Sequence, residues 1–324
     1  MPHLPELAPA ERTVISAATD DASVRPAVPA ADPAMRVIEF ACRAPSVQNT
    51  QPWAWRAHDT TLELYADRSR GLHGADPHGR NLLISCGSAL HHAAVAARGL
   101  AWEPIITRRN DLPEAEPDLI ARIELVPSTG ARESPEPAVE NEAAADLQAL
   151  TQRRTDRRRF TSWPVQDVQL QVLCAAASGH GGLAVPVTVV VDRLRVEHLL
   201  RRAARADPVP ASASNATLPG HDDQVDVEPS DGLLLLCSET DDPAAWVTVG
   251  EALSALWLSA VRRGLSVVPL SNIISFAETR AALRSDVLGG LALPQLLLRV
   301  GWQPIGRSDL ARSPRRPLGD VLLA

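Results

Sequence analysis

The stretch CRAPSVQNTQPWAW, Cys42 to Trp55, decides how the rest of the chain is read. Pro45 ends the helical pattern before it, because proline lacks a donor and pushes the preceding residue out of the α region. Ser46, Gln48, Asn49, Thr50 and Gln51 then place five hydrogen-bonding side chains within six residues, until Pro52 and Trp53 stop the run. Such a loop can read a planar polar ligand. Ser and Asn also cap helix ends and build turns, so spacing alone leaves a plain turn open.

Working outward, the composition is that of a folded chain: 324 residues, 45% hydrophobic and 22% charged, enough for one large or two ordinary domains. No apolar run of about 18 residues and no basic leader followed by an apolar segment is visible, so the expectation is a cytoplasmic protein without a membrane partner. Cys42, Cys86, Cys174 and Cys237 lie far apart without paired spacing and are expected as four buried thiols. All 32 basic residues are arginine, which excludes a P-loop lysine and a lysine Schiff base. A net charge of −7 argues against a nucleic-acid partner.

Residues 1–33, rich in Ala and Pro, read as an extended arm. Asp32-Pro33 carries the start signal of a helix that runs to Pro45. The pattern then predicts strands at Trp53–Ala57 and Thr61–Ala66, a long helix at Gly79–Arg98, and strands at Ala101–Thr107 and Leu119–Val126. His91 and His92 sit in that helix. Adjacent helical positions point about 100° apart, so a structural role is expected of the pair rather than chelation of one metal.

Residues 127–143 are polar, acidic and proline-bearing, the composition of a linker. Beyond them the spacing predicts helices at Val165–Ala177, Leu194–Arg205, Ala244–Arg263 and Ala277–Arg284. Strands are expected at Leu183–Val191, Gly232–Ser238, Leu265–Leu270 and Gln295–Val300. Gly87-Ser88-Ala89-Leu90, with Arg98-Gly99-Leu100 and Pro104, is echoed by Gly250-Glu251-Ala252-Leu253, with Arg263-Gly264-Leu265 and Pro269. A helix of this kind followed by a strand, present twice, suggests duplication.

The run Pro45-Ser46-x-x-Asn49-x-Gln51-Pro52-Trp53 resembles the flavin-contacting motif of the nitroreductase family, whose members bind FMN at a homodimer interface. The resemblance implies an α+β fold, here with two pseudo-repeated halves like a homodimer fused into one chain: 34–126 and, after the linker, 144–324. It assigns Pro45, Ser46, Val47, Gln48, Asn49 and Gln51 to the flavin. The family's RRSxR phosphate motif is similar to Arg153-Arg154-Thr155-Asp156-Arg157 at the head of the second half, and its basic tail before a proline to Arg315-Arg316-Pro317. Guanidinium suits that task, since it offers bidentate donors and stays charged. Each half lacks what the other keeps, so one flavin site per chain is expected, in a monomer that mimics a dimer.

Within the family the chain looks most like the Acg-type fused proteins, on NLLISCGSALHH, RRTDRR, PQLLLRVG and the RRP tail. The second half carries a surplus, Pro- and Ser-rich segment at 206–231, expected as a lid. No GxGxxG opens a helix after a strand, so NAD(P)H is expected as a transient electron donor, with a small nitro compound or quinone as acceptor. Where ordinary nitroreductases place an acidic residue and glycine near the reactive flavin nitrogen, this chain has Ser271-Asn272. Two classes of function stay open from sequence: an FMN oxidoreductase, and a protein that stores or sequesters flavin with little turnover.

Overall fold

Asp32 starts the first helix, α1 (Pro33–Ala41), by accepting a 3.0 Å hydrogen bond from the Ala34 amide, and Pro33 occupies the first turn, where its missing N–H is harmless. This is seen in a computed structural model that describes residues 32–111, 116, 118–128, 137–206, 227–306 and 312–323. The expected arm, apart from Asp32 and Pro33, and residues 207–226 of the expected lid lie outside the described residues.

Two strands follow, β1 (Trp53–His58) and β2 (Thr61–Ala66), then the helix α2 (Arg80–Gly99) and strands β3 (Trp102–Arg108) and β4 (Leu119–Pro127). The four strands form one antiparallel sheet in the order β1-β2-β4-β3. Next come helices α3 (Pro137–Gln152) and α4 (Asp167–Ser178), strand β5 (Leu183–Pro186), helix α5 (Val190–Ala206) and strand β6 (Gly232–Ser238). Helix α6 (Pro243–Arg262), strand β7 (Leu265–Leu270), the short helices α7 (Asn272–Ser275) and α8 (Ala277–Ala282), and strand β8 (Leu293–Trp302) complete the order. The second sheet is again antiparallel, ordered β5-β6-β8-β7.

The two halves repeat one plan, a helix, two strands, a 20-residue helix and two strands, into which the second half inserts α5 between β5 and β6 and α7 and α8 between β7 and β8. The long helices α2 and α6 cross at the centre of the molecule, and they can do so only because glycines meet there. A Cβ on Gly87 would stand 2.0 Å from the Val247 carbonyl oxygen, and one on Gly250 would stand 2.1 Å from that of Ile84. The main core runs through both halves, with Trp53, Trp55 and Trp257 fully buried in it. All four cysteines are free and buried. Helix α6 is long and apolar enough to span a bilayer, but 72% of that apolar window is buried inside the fold, so its apolarity serves the core.

The chain's end returns to the first half. The Trp55 amide donates to the Val321 carbonyl and the Leu323 amide to the Trp55 carbonyl, both at 2.7 Å, which covers the open edge of β1.

Three local expectations are corrected. The strand expected at Leu183–Val191 stops at Pro186, and Val190 and Val191 start α5 instead. Valine's β-propensity lacks a neighbouring strand to act on here, since the pairing with β6 ends at Pro186 opposite Leu234 and the valines are exposed. Helix α3 begins at Pro137, inside the stretch read as a linker, because the Ala- and Glu-rich sequence behind that proline forms helix readily. The helix expected at Ala277–Arg284 leaves α geometry after Ala282 and continues as a π turn, Leu283–Val287.

Candidate functional site

Between α1 and β1, the loop 42–52 holds three non-glycine residues in the left-handed region: Gln48 at φ 45°, Asn49 at φ 57° and Gln51 at φ 51°. Such conformations cost of order 1 kcal/mol or more each and persist only where the surroundings hold them. Several anchors do so here. The Val47 amide donates to Ser85 Oγ on α2 at 3.2 Å, and the Gln51 amide to Ser46 Oγ at 3.0 Å. From the C-terminal tail, Asn49 Nδ2 reaches the Pro314 carbonyl at 3.1 Å, and the Arg316 amide donates to Gln51 Oε1 at 2.9 Å. Arg70, which sequence reading missed, clasps the Gln51 and Trp53 carbonyls and that of Asp320.

Two guanidiniums converge on the head of this loop. Arg153, just past α3, donates from NH2 to the Arg43 carbonyl at 3.1 Å, and Arg315 donates from NH2 to the same oxygen at 3.2 Å and to Ala44 O at 3.3 Å. Arg315 NH1 also meets Asn49 Oδ1 at 3.2 Å. Arg153 lies 4.8 Å over the ring of Trp257 on α6, a cation–π contact. It is 8% exposed, yet its Nε and NH1 are buried without a partner among the described residues, and so is Arg315 Nε. Burial, with Arg315 adding repulsion, brings the Arg153 guanidinium down to about 9. Buried donors of one sign without acceptors are costly, and an anion held between them would relieve the strain.

Behind the arginines lie His91 and His92, both buried. Their Nδ1 atoms meet one hydroxyl, Ser254 Oγ on α6, at 2.7 and 2.8 Å. Burial drives His91 down to about 3, with His180 and Arg98 adding to it. His92 is held well below its ordinary value by burial first, then by Arg153.

The remaining site expectations are placed as follows. Pro45 and Ser46 stand at the loop's entry and Gln48 is exposed at its crest. Of the arginine cluster, Arg154 and Arg157 face solvent and Thr155 is half-buried. Arg158 pairs with Asp156 at 2.6 Å and Arg159 with Glu228, so carboxylates offset part of the cluster's charge. The Arg157 and Arg158 carbonyls are gripped by Arg299, which is buried against Asp231. Ser271 and Asn272 stand at the turn from β7 into α7, which packs on α5 and β8. Clefts of about 400 and 310 Å³ flank α5, and neither is lined by the loop, Arg153 or Arg315.

Two antiparallel sheets of the same strand order, joined by crossed central helices, define a nitroreductase-type α+β protein. A solved structure described as a putative nitroreductase from Anabaena variabilis shares this fold, with a TM-score of 0.56 over 83% of this chain and 88% of that one at 10% identity. No family model matches the chain. The Mycobacterium tuberculosis protein named "Putative NAD(P)H nitroreductase Rv3131" is 35% identical over 91% of this chain and 92% of its own length. The one named "Putative NAD(P)H nitroreductase acg", from the same organism, is 29% identical over 88% and 93%. The chain belongs to the NAD(P)H nitroreductase family.

Proposed function

We propose that the chain binds one FMN between the loop 45–51 and the Arg153–Arg315 pair and acts as an NAD(P)H-dependent oxidoreductase on a small acceptor, a nitro compound or a quinone. The observation that carries this reading is the set of buried, unpartnered donors on Arg153 and Arg315 beside a polar loop held in left-handed conformations. They fit the flavin's phosphate monoester, which needs charged donors away from water. The halves 34–126 and 144–324 each supply part of the site, as two subunits would in a homodimer.

When bound, FMN supplies the hydride chemistry, accepting from NAD(P)H and giving to the acceptor. The chain's own residues bind and orient. Arg153 and Arg315 neutralise the phosphate; Ser46, Asn49 and Gln51 offer hydroxyl and amide groups; Trp257 and the tail at Arg315-Arg316 keep water from the anion. Arg154, Thr155, Arg157, Ser271 and Asn272 belong to the same proposal as outlying members of the site. Anaerobic mixing of the FMN-loaded protein with NADPH tests it: bleaching of the flavin absorption band supports the enzyme, and failure to retain FMN refutes the reading.

One observation favours a second reading, in which the protein holds flavin and turns over little. Ser271-Asn272 stands where the resemblance puts an acidic residue and glycine near the reactive nitrogen. Firm retention of FMN without bleaching by NADPH or NADH would establish that reading over the first.

A further inference from the structure

The Ser254 hydroxyl carries one proton and two lone pairs, yet it lies within hydrogen-bond distance of two imidazole nitrogens, His91 Nδ1 at 2.7 Å and His92 Nδ1 at 2.8 Å. Both rings are buried and neutral. One Nδ1 must therefore accept the hydroxyl proton while the other donates its own, so the two histidines are locked into opposite tautomers. Two arrangements satisfy this. In one, His92 carries its proton on Nδ1, where the Ser88 carbonyl also faces the ring, and Nε2 is a bare lone pair. In the other, the hydroxyl proton points at His92 Nδ1 and Nε2 carries the hydrogen.

Among the described residues His92 Nε2 is buried without a partner, as are Arg153 Nε, Arg153 NH1 and Arg315 Nε. Arg153 and Arg315 stand near enough for their charges to act on His92. Ser254 holds His92, and Trp257, one turn further along α6, lies under Arg153 at 4.8 Å. Arg153 and Arg315 in turn share the Arg43 carbonyl. A bare lone pair gains nothing from an anion in that position, whereas an N–H gains a charge-assisted hydrogen bond.

We propose that His92 is a further ligand of the phosphate monoester, donating from Nε2, and that Ser254 is the positioning residue that sets its tautomer through His91. No proton is gained or lost. Binding selects the second arrangement, in which the Ser254 hydrogen points at His92 Nδ1, His92 carries its hydrogen on Nε2 and His91 carries its own on Nδ1. The proposal rests on the reading of Arg153 and Arg315 as the phosphate site.

The test compares dissociation constants for FMN and riboflavin, which differ only in the phosphate, by quenching of flavin fluorescence. His92→Leu should cut the preference for FMN by about tenfold to a hundredfold, the worth of a hydrogen bond to a charged group, and His92→Gln, which keeps an N–H, should restore most of it. Ser254→Ala should cost about three- to tenfold, since only the tautomer bias is lost. Unchanged riboflavin affinity in each variant reports an intact ring site. Should a variant fail to fold, ¹⁵N resonances of the wild-type imidazoles decide: the hydrogen must appear on His92 Nε2 when FMN is added. A wild-type preference that survives His92→Leu, or a His92 that keeps its Nδ1 hydrogen with FMN bound, overturns this proposal and leaves the arginine site standing. A wild type that binds both flavins equally overturns the arginine site itself.

Discussion

Gly87 on α2 and Gly250 on α6 are mutual contacts: a Cβ built on either comes within 3.0 Å of the other's Cα and within 2.1 Å of a carbonyl oxygen on the opposite helix. The Ser88 hydroxyl then donates to the Gly250 carbonyl at 2.9 Å, tying the crossing. A methyl group at either glycine meets backbone, which cannot turn aside as a side chain can. Gly87→Ala and Gly250→Ala are each expected to cost about 3 kcal/mol or more, beyond the usual range for overpacking. Gly74→Ala, where nothing lies within 4 Å, is the control. Thermal or urea unfolding checks this; equal midpoints for Gly87→Ala and Gly74→Ala would show that the helices can separate freely.

One FMN per chain is expected. The connection from α1 to β1 spans residues 42–52, whereas its counterpart from α4 to β5 is only Gly179–Gly182. That shorter turn offers no polar loop, and its surroundings are already filled: His180 packs edge-on against His91 at 4.4 Å, and Glu251 is bound by Arg108 at 2.7 Å. Flavin absorbance against protein concentration after gel filtration gives the ratio, and a value near two contradicts the assignment.

Among the arginines, burial ranks the expected effects on flavin retention. Arg153→Ala should weaken FMN binding roughly ten- to a hundredfold, as the loss of charged hydrogen bonds predicts. Arg157→Ala and Arg202→Ala, both at exposed positions, should fall well short of that. Equilibrium dialysis of the three variants is sufficient, and equal retention throughout would make Arg153 a structural residue only.

Stability should depend on pH through the buried histidines. Their folded-state values are depressed, to about 3 for His91 and well below the ordinary value for His92, so each is neutral when folded and takes up a proton on unfolding in acid. The stability they allow is fully present above the unfolded value of about 6.5 and falls as pH drops below it, by about 1.4 kcal/mol per pH unit for each histidine. Urea midpoints at pH 7, 6 and 5 should decrease progressively. A midpoint that stays level across that range would mean that the rings titrate normally in the fold.

Losing the buried charge opposite Arg299 should be costly too. Asp231 and Arg299 are each 1% exposed in their side chains, 3.5 Å apart, and Arg299 also grips the carbonyls that follow the Arg153 segment. Asp231→Ala takes the buried carboxylate away from a guanidinium that Asp156 and Glu228 also act on, and is expected to cost about 3 kcal/mol. Urea unfolding measures it, and a loss below 1 kcal/mol would show that water replaces the carboxylate.

The chain's own order already contained the repeat, the loop and most element boundaries. Periodicity and turn residues act locally, so α2, β6 and β7 are readable from their own residues: β6 and β7 begin and end where the pattern put them. The polar loop was legible for the same reason, because Pro45, Asn49 and Pro52 restrict the backbone by themselves. What only the tertiary structure decided is which distant groups meet there. Arg153 and Arg315 look alike in sequence to Arg154 and Arg316, and burial against Trp257 and the Arg43 carbonyl separates them. Ser254 carries no local signal, since a serine in an apolar helix reads as filler until a second helix brings two imidazoles to its hydroxyl. Val190 and Val191 show the converse, a strong local preference overruled once the neighbouring strand ends. Local sterics fixed the elements; desolvation and contact between the two halves chose which polar groups converge on the loop.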